Sequence, residues 1–291
     1  MKDTRMTYRT LISASELLAL QAAASPLVLL DCGFDLADAG AGERAFALGH
    51  LPGAQYAHLD RDLSGPKAAP GARSLGRHPL PEREALADSA GRWGIAAGTQ
   101  VVLYDAQGGP YAARAWWLLQ WLGHGAAAVL DGGPAAWTAA GGALQSGPAV
   151  QTTAAPPQPT AAPAMATITA SELLAALGRV PLLDARAPER FRGDTEPLDP
   201  VAGHIPGALN RFFKDNLQAD GRFKPAPQLH AEFSALLGNH PASAVVQQCG
   251  SGVTACHNLL AMAHAGLPGS RLYPGSWSEW CNDPSRPVAR G

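Results

Sequence analysis

VVLYDAQGG at Val101–Gly109 and VVQQCGSGV at Val245–Val253 are two versions of one local design. Each runs from a β-branched apolar stretch through one chemistry-bearing residue into a glycine-spaced loop. Asp105 occupies the position in the first version that Cys249 occupies in the second. The pair is part of a longer repeat, which decides the fold. SASELLAL at Ser13 returns as TASELLAALG at Thr169, LVLLDCG at Leu27 as VPLLDAR at Val180, GHLPGA at Gly49 as GHIPGA at Gly203, and DGGPAAW at Asp131 as PGSWSEW at Pro274. The residues Glu16 and Glu172, Asp31 and Asp184, His50 and His204, and Trp137 and Trp280 are 156, 153, 154 and 143 residues apart. The drop in spacing follows an extra stretch between Asp60 and Arg92 that the second copy lacks. Five matches in one order with drifting gaps indicate a duplicated domain.

Between the copies lies SGPAVQTTAAPPQPTAAPAMAT, whose Pro, Ala and Thr content without apolar periodicity predicts an extended linker. The expected organisation is a first domain over 1–145, a linker over 146–166 and a second domain over 167–291. Within each copy a short helix at SELLA precedes a strand ending in Asp. A Gly-His-Leu/Ile-Pro-Gly turn, a second short strand, a helix, the VVLYD or AVVQQ strand and a long helix follow. Strands that are short and apolar on both faces predict a mostly parallel central sheet flanked by helices, an α/β fold present twice.

Composition narrows the function classes. Hydrophobic residues make up 46% and charged residues 16% of the 291 residues, enough for packed cores. A formal net charge of −2 without a long basic run argues against nucleic acid as a partner. No apolar stretch reaches the length of a membrane span, and the N-terminal residues lack the apolar run of a signal peptide. Four cysteines without a CxxC pair form neither a disulfide framework nor a metal knuckle, so a reducing, cytoplasmic setting and no metal or other cofactor are expected.

Cys249 is the residue on which chemistry turns. In open α/β sheets ligands sit beyond the carboxyl ends of the strands, and Cys249 closes a strand just before a helix expected to begin near Thr254. Gly250 and Gly252 let the loop Gly250, Ser251, Gly252, Val253, Thr254 curl so that successive N–H groups point inward, as in an anion-binding nest. The helix N-terminus adds partial positive charge. Both favour a thiolate, and Cys249 is read as a nucleophile. A C-x5-R phosphatase would share this architecture, but Ala255 stands where its arginine is required to neutralise the phosphoryl group.

The two-copy layout, the GHLPGA and GHIPGA turns, DGGPAAW, PGSWSEW and above all CGSGVTA resemble tandem-domain rhodanese-type sulfurtransferases over nearly the whole chain. The resemblance implies two rhodanese-like domains, the first inactive and the second active, matching Asp105 opposite Cys249. It implies a ping-pong reaction in which Cys249 takes sulfur from a small-molecule donor, holds it as a persulfide and passes it to a thiol or to cyanide. Thioredoxin, glutathione and cysteine are further candidate acceptors, and the alternatives are a thiosulfate-preferring enzyme that passes sulfur to cyanide and a sulfur-carrier role toward a protein partner. Gly250 and Ser251 directly after the cysteine are similar to the 3-mercaptopyruvate branch, whereas thiosulfate-type loops carry basic residues there. Arg190 matches an arginine that contacts the donor in both branches; the competing reading is a surface ion pair with Glu189 or Asp194. The second arginine of an EPR motif is missing, because this chain reads EPLDP at Glu196–Pro200. Ser251 matches a serine, and His50 through its turn a histidine, to which proton transfer is attributed in that branch; Asp38 is the nearest aspartate. Since His50 recurs as His204 in the active copy, the competing expectation is that both histidines brace a turn. Trp277, Trp280 and Cys256 are expected to be core residues.

Overall fold

The computed structural model describes residues 7–23, 25–69, 74–149, 153–156 and 162–291. The chain forms two compact units. One comprises residues 1–63 with 82–164, the other residues 64–81 with 165–291. Residues 64–81 precede the linker in chain order but pack within the second unit.

The first unit runs β1 (Leu11–Ile12), α1 (Ala14–Ala22), β2 (Leu27–Asp31), α2 (Ala41–Leu48), β3 (Ala54–Tyr56), α3 (Arg83–Arg92), β4 (Gln100–Tyr104), α4 (Pro110–Leu122), β5 (Ala127–Leu130) and α5 (Gly133–Ala139). Its sheet has the order β1-β5-β4-β2-β3 with every pair parallel. The second unit runs α6 (Ala170–Ala176), β6 (Leu182–Asp184), α7 (Pro188–Arg192), β7 (Ala208–Asn210), α8 (Ala226–Leu237), β8 (Val246–Gln248), α9 (Ala255–His264), β9 (Arg271–Leu272) and α10 (Ser276–Trp280). Its sheet, β7-β6-β8-β9, is also parallel throughout. The counterpart of β1 shrinks to a single parallel bridge between Thr167 and Leu272. Among the described residues no helix is long and apolar enough to cross a membrane.

The repeated sequence motifs correspond to repeated physical devices. Ser13 and Thr169 are N-caps of α1 and α6, and each forms a capping box with the glutamate three residues on, Glu16 or Glu172. In the GHLPGA turn the His50 ring stacks on Phe46 at 3.8 Å and its Nδ1 lies 2.7 Å from the Phe46 carbonyl. His204 repeats this with Phe191, at 3.9 Å and 2.8 Å. Both histidines therefore brace a turn. Trp137 and Trp280 are buried in the two cores, where each indole N–H donates to a carbonyl of the chain that follows. Trp277 lies in the second core as well. Helices α2, α5, α7 and α10 carry no clear periodic signal in the sequence. They are short, at five to eight residues, and α7 buries none of its side chains.

Asp31 ends β2, and burial pushes its carboxyl up to about 6, with the Gly33 N–H pulling the other way and Asp105 adding repulsion. The folded unit thus binds this proton more tightly than the unfolded chain. Stability present at acid pH is lost as pH rises through about 4 to 6, by about 3 kcal/mol. Asp31→Asn is expected to remove that slope. Thermal midpoints of mutant and wild type should coincide near pH 4, and the mutant should be the more stable at pH 7.

Candidate active site

Cys249 directly follows β8, at its carboxyl end, and the register Asp184 to Gln248 sets it beside the end of β6. The residue is buried. Its Sγ accepts a hydrogen bond from the Gly252 N–H at 3.2 Å, so the loop closes back on the sulfur. That curl needs Gly252, which has φ +78°; a Cβ there would also lie 2.4 Å from the Pro274 carbonyl oxygen. Val253 is buried, and Thr254 is the N-cap of α9, in helical conformation and without a side-chain cap bond. Cys256 lies in the first turn of that helix, fully buried, its thiol directed to the Gly252 carbonyl at 3.3 Å.

The N-terminal end of α10 holds the other side of the loop. Trp277 and Ser278 donate backbone N–H groups to the carbonyls of Cys249 and Gly250 at 3.0 and 2.9 Å. Ser276 accepts the Cys249 N–H at 3.1 Å and donates to the Tyr273 carbonyl. It does so with φ 51°, the one left-handed non-glycine among the described residues. Its counterpart in the first unit is Gly133, at φ 56°. A serine accepts that strain where its hydroxyl holds the Cys249 backbone.

Residues 74–80, in the stretch that the second copy lacks, complete the surroundings of the loop. Gly76 approaches Gly275 so closely that a Cβ would sit 2.6 Å from the Gly275 carbonyl oxygen. The Arg77 N–H then donates to Ser278 Oγ at 3.0 Å, and His78 Nδ1 lies 2.8 Å from Ser251 Oγ. Ser251 therefore pairs with His78. His50 is not available for that role: both ring nitrogens are engaged in the first unit, Nδ1 by Phe46 and Nε2 by Gln145 at 2.9 Å. Asp38 is paired with Arg44 on the surface of that unit.

Charged groups form an alternating chain: Asp184, Arg186, Glu196, Arg190, Asp199, Arg77. Arg186 is buried against Asp184 at 2.7 Å and Glu196 at 3.4 Å, and its guanidinium lies 4.8 Å from the centre of the Trp277 ring. Arg190, carried by α7, pairs with Glu196 at 2.6 Å and Asp199 at 3.4 Å rather than with Glu189 or Asp194. Asp199 uses its other oxygen for Arg77 at 2.6 Å. Burial pushes the Asp199 carboxyl up, Arg77 and Arg190 pull it down, and Glu196 raises it again. The desolvation cost of such buried pairs offsets much of their Coulomb attraction. Leu198, where an EPR motif would have its arginine, is exposed.

Arg77, His78, Asp199 and Ser276 escape a reading of the sequence alone. For Arg77 and His78 the available signal is the extra stretch within the first copy, between Asp60 and Arg92, which has no counterpart in the second. An apolar groove of about 490 Å³ lies against Leu75, Leu80, Ile168 and Tyr273 but is lined by no residue of 249–254.

In the first unit the equivalent loop is plugged. Asp105 Oδ1 accepts the N–H groups of Gln107 and Gly109, both at 2.8 Å, and Oδ2 those of Tyr111 and Ala112 at 3.0 and 2.9 Å. One side-chain carboxylate thus accepts four backbone N–H groups of that loop.

The family model described as "Rhodanese-like domain" matches residues 13–140 and 169–283. The chain is 51% identical over 290 residues to a Pseudomonas aeruginosa protein named "Probable 3-mercaptopyruvate sulfurtransferase", covering 98% of this chain and 100% of that one. It is 34% identical over 246 residues to the thiosulfate sulfurtransferase of Bos taurus, covering 79% and 77%. Among solved structures, 3-mercaptopyruvate sulfurtransferase from Leishmania major superposes with a TM-score of 0.81 at 30% identity, covering 94% of this chain and 74% of that one.

Proposed function

The chain belongs to the rhodanese-like domain family, and on that premise we propose that it is a sulfurtransferase using 3-mercaptopyruvate in preference to thiosulfate. Cys249 thiolate attacks the donor's sulfur and the carbon–sulfur bond breaks. The electron pair left on carbon takes up the proton that the donor's thiol carried. The products are a Cys249 persulfide anion and pyruvate, with charge and atoms in balance. A thiol or cyanide then attacks the outer sulfur and releases Cys249 thiolate. A small-molecule donor and a soluble thiol acceptor, with thioredoxin and glutathione as candidates, fit a cytoplasmic setting.

The observation that carries the donor preference is the hydrogen bond between His78 Nδ1 and Ser251 Oγ, two residues from Cys249. Departure of a carbanion requires a proton, and a hydroxyl–imidazole pair beside the reacting sulfur can relay one from donor thiol to carbon. Departure of sulfite from thiosulfate requires none. The loop residues Gly250, Ser251, Gly252, Val253 and Thr254 also supply no cation of their own for a dianionic donor.

Steady-state rates with both donors and a dithiol acceptor test this. Wild type should favour 3-mercaptopyruvate, and Ser251→Ala should lower kcat with that donor by about 100-fold while changing the thiosulfate rate by only a few fold. Equal losses with both donors, or a wild-type preference for thiosulfate, would overturn the assignment. Persulfidation of Cys249 from a protein source, with neither small donor used, would favour the carrier role.

A further inference from the structure

The two copies brace the same loop in opposite ways. In the first unit four backbone N–H groups end on the Asp105 carboxylate, inside the curl. In the second unit the brace comes from outside, from the start of α10. Ser276 Oγ accepts the Cys249 N–H at 3.1 Å, the Trp277 N–H donates to the Cys249 carbonyl at 3.0 Å, and the Ser278 N–H donates to the Gly250 carbonyl at 2.9 Å. Both peptide groups that flank the nucleophile's Cα are pinned in this way, while Sγ takes the Gly252 N–H. The first unit cannot assemble the same grip. Aligning DGGPAAW with PGSWSEW sets Gly133 opposite Ser276 and Pro134 opposite Trp277, so the hydroxyl and one N–H donor are both absent. A Cβ on Gly133 would also lie 2.4 Å from the Asp105 carbonyl oxygen.

Ser276 keeps its place against its own backbone preference. A φ of 51° disfavours any side chain, and glycine, as at 133, would be the unstrained choice. What the serine adds is one hydroxyl. Its single proton goes to the Tyr273 carbonyl at 2.9 Å, so its lone pairs are left to the Cys249 N–H. Ser276 is fully buried, and it therefore acts through Cys249 rather than on the donor. We propose that Ser276 is a positioning residue for sulfur transfer: its strained backbone carries the hydroxyl that fixes the Cys249 peptide and so aims Sγ at the reacting sulfur. The proposal rests on Cys249 as the sulfur-carrying nucleophile and is independent of which donor it prefers.

Ser276→Gly and Ser276→Ala separate the hydroxyl from the backbone, since both lose the hydroxyl and only glycine also loses the strain. Activity should follow the hydroxyl. Both variants should lower kcat by about 10-fold, with KM within about twofold of wild type and with 3-mercaptopyruvate and thiosulfate affected alike. Stability should follow the backbone, and the thermal midpoint of Ser276→Gly should lie above that of Ser276→Ala. Two readouts need no sulfur donor. Alkylation of Cys249 by iodoacetamide should slow several-fold as Sγ loses its hold on the Gly252 N–H. Hydrogen exchange at the Cys249 amide, followed with isotope-labelled cysteine, should accelerate, while the Cys32 amide, bonded to the Tyr104 carbonyl, stays as it is. A Ser276→Gly enzyme as active as wild type, or activities that rank with the thermal midpoints, would make Ser276 a merely structural residue and overturn the proposal. A loss confined to one donor, or a rise in KM alone, would do the same. If wild type used neither donor, the activity reading would fail, and unchanged or faster alkylation in Ser276→Gly would still overturn the positioning role. Should Ser276→Ala not fold, the kcat, alkylation and exchange of Ser276→Gly decide alone.

Discussion

Cys249→Ser is expected to lower sulfur transfer from either donor by at least roughly three orders of magnitude, with the fold retained. A serine hydroxyl cannot hold a sulfane sulfur, so both halves of the ping-pong cycle are lost together. Retention of the fold follows from local geometry: the smaller Oγ can still accept the Gly252 N–H that now points at Sγ. The other thiols offer poor substitutes. Burial pushes Cys32 far up, with Asp31 and Asp105 adding to it, and pushes Cys281 up to about 11. Cys256 is fully buried beneath the loop. Intact-protein mass spectrometry after incubation with 3-mercaptopyruvate checks the assignment directly. Wild type should gain one sulfur atom and the variant none. A residual rate within tenfold of wild type, or persulfide on another cysteine, would remove Cys249 from the centre of the reaction.

Asp105→Ala should damage the first unit more than any exposed substitution, although it touches no substrate. Four backbone N–H groups now end on one buried carboxylate. Without it they are left without an acceptor around a small void that water can only partly satisfy. Allowing about 1 kcal/mol or more for each of the four N–H groups, the cost is at least about 4 kcal/mol, or roughly 10 °C or more in the midpoint of a unit this size. Asp105→Asn keeps one oxygen and should lose distinctly less, even though burial already holds the aspartate's carboxyl above its ordinary range. Thermal unfolding followed by calorimetry distinguishes these outcomes. An alanine variant within about 1 kcal/mol of wild type would mean that the loop relaxes and that the plugged nest is not a stabilising element.

Both expectations rest on one position of the repeat, which the amino-acid sequence alone displays. The apolar strand, single residue and glycine-spaced loop place Asp105 and Cys249 at strand ends from local pattern alone. Capping residues announce α1 and α6 equally well, since a capping box is a contact between residues three apart. His50 shows where local reading becomes ambiguous. Its motif is shared by both copies, and only the stacking on Phe46, repeated by His204 on Phe191, shows that the shared task is bracing a turn. Helices α7 and α10, which carry Arg190 and the Ser276 hydroxyl, are too short to leave a periodic trace.

The sequence by itself determined that this protein is a duplicated α/β chain, and it set one cysteine at a strand end before a glycine-spaced loop. Those properties reside in short windows, where propensity, apolar spacing and glycine placement act on near neighbours. Only the tertiary structure decided what surrounds that cysteine. Residues 64–81 leave the first copy's chain order and fold into the second unit, bringing Arg77 against Asp199 and His78 against Ser251. An irregular segment has no period to betray its destination. Its place is set by contacts more than a hundred residues distant, through a glycine close to Gly275 and a charge partner in EPLDP, and such contacts exist only once both parts have folded.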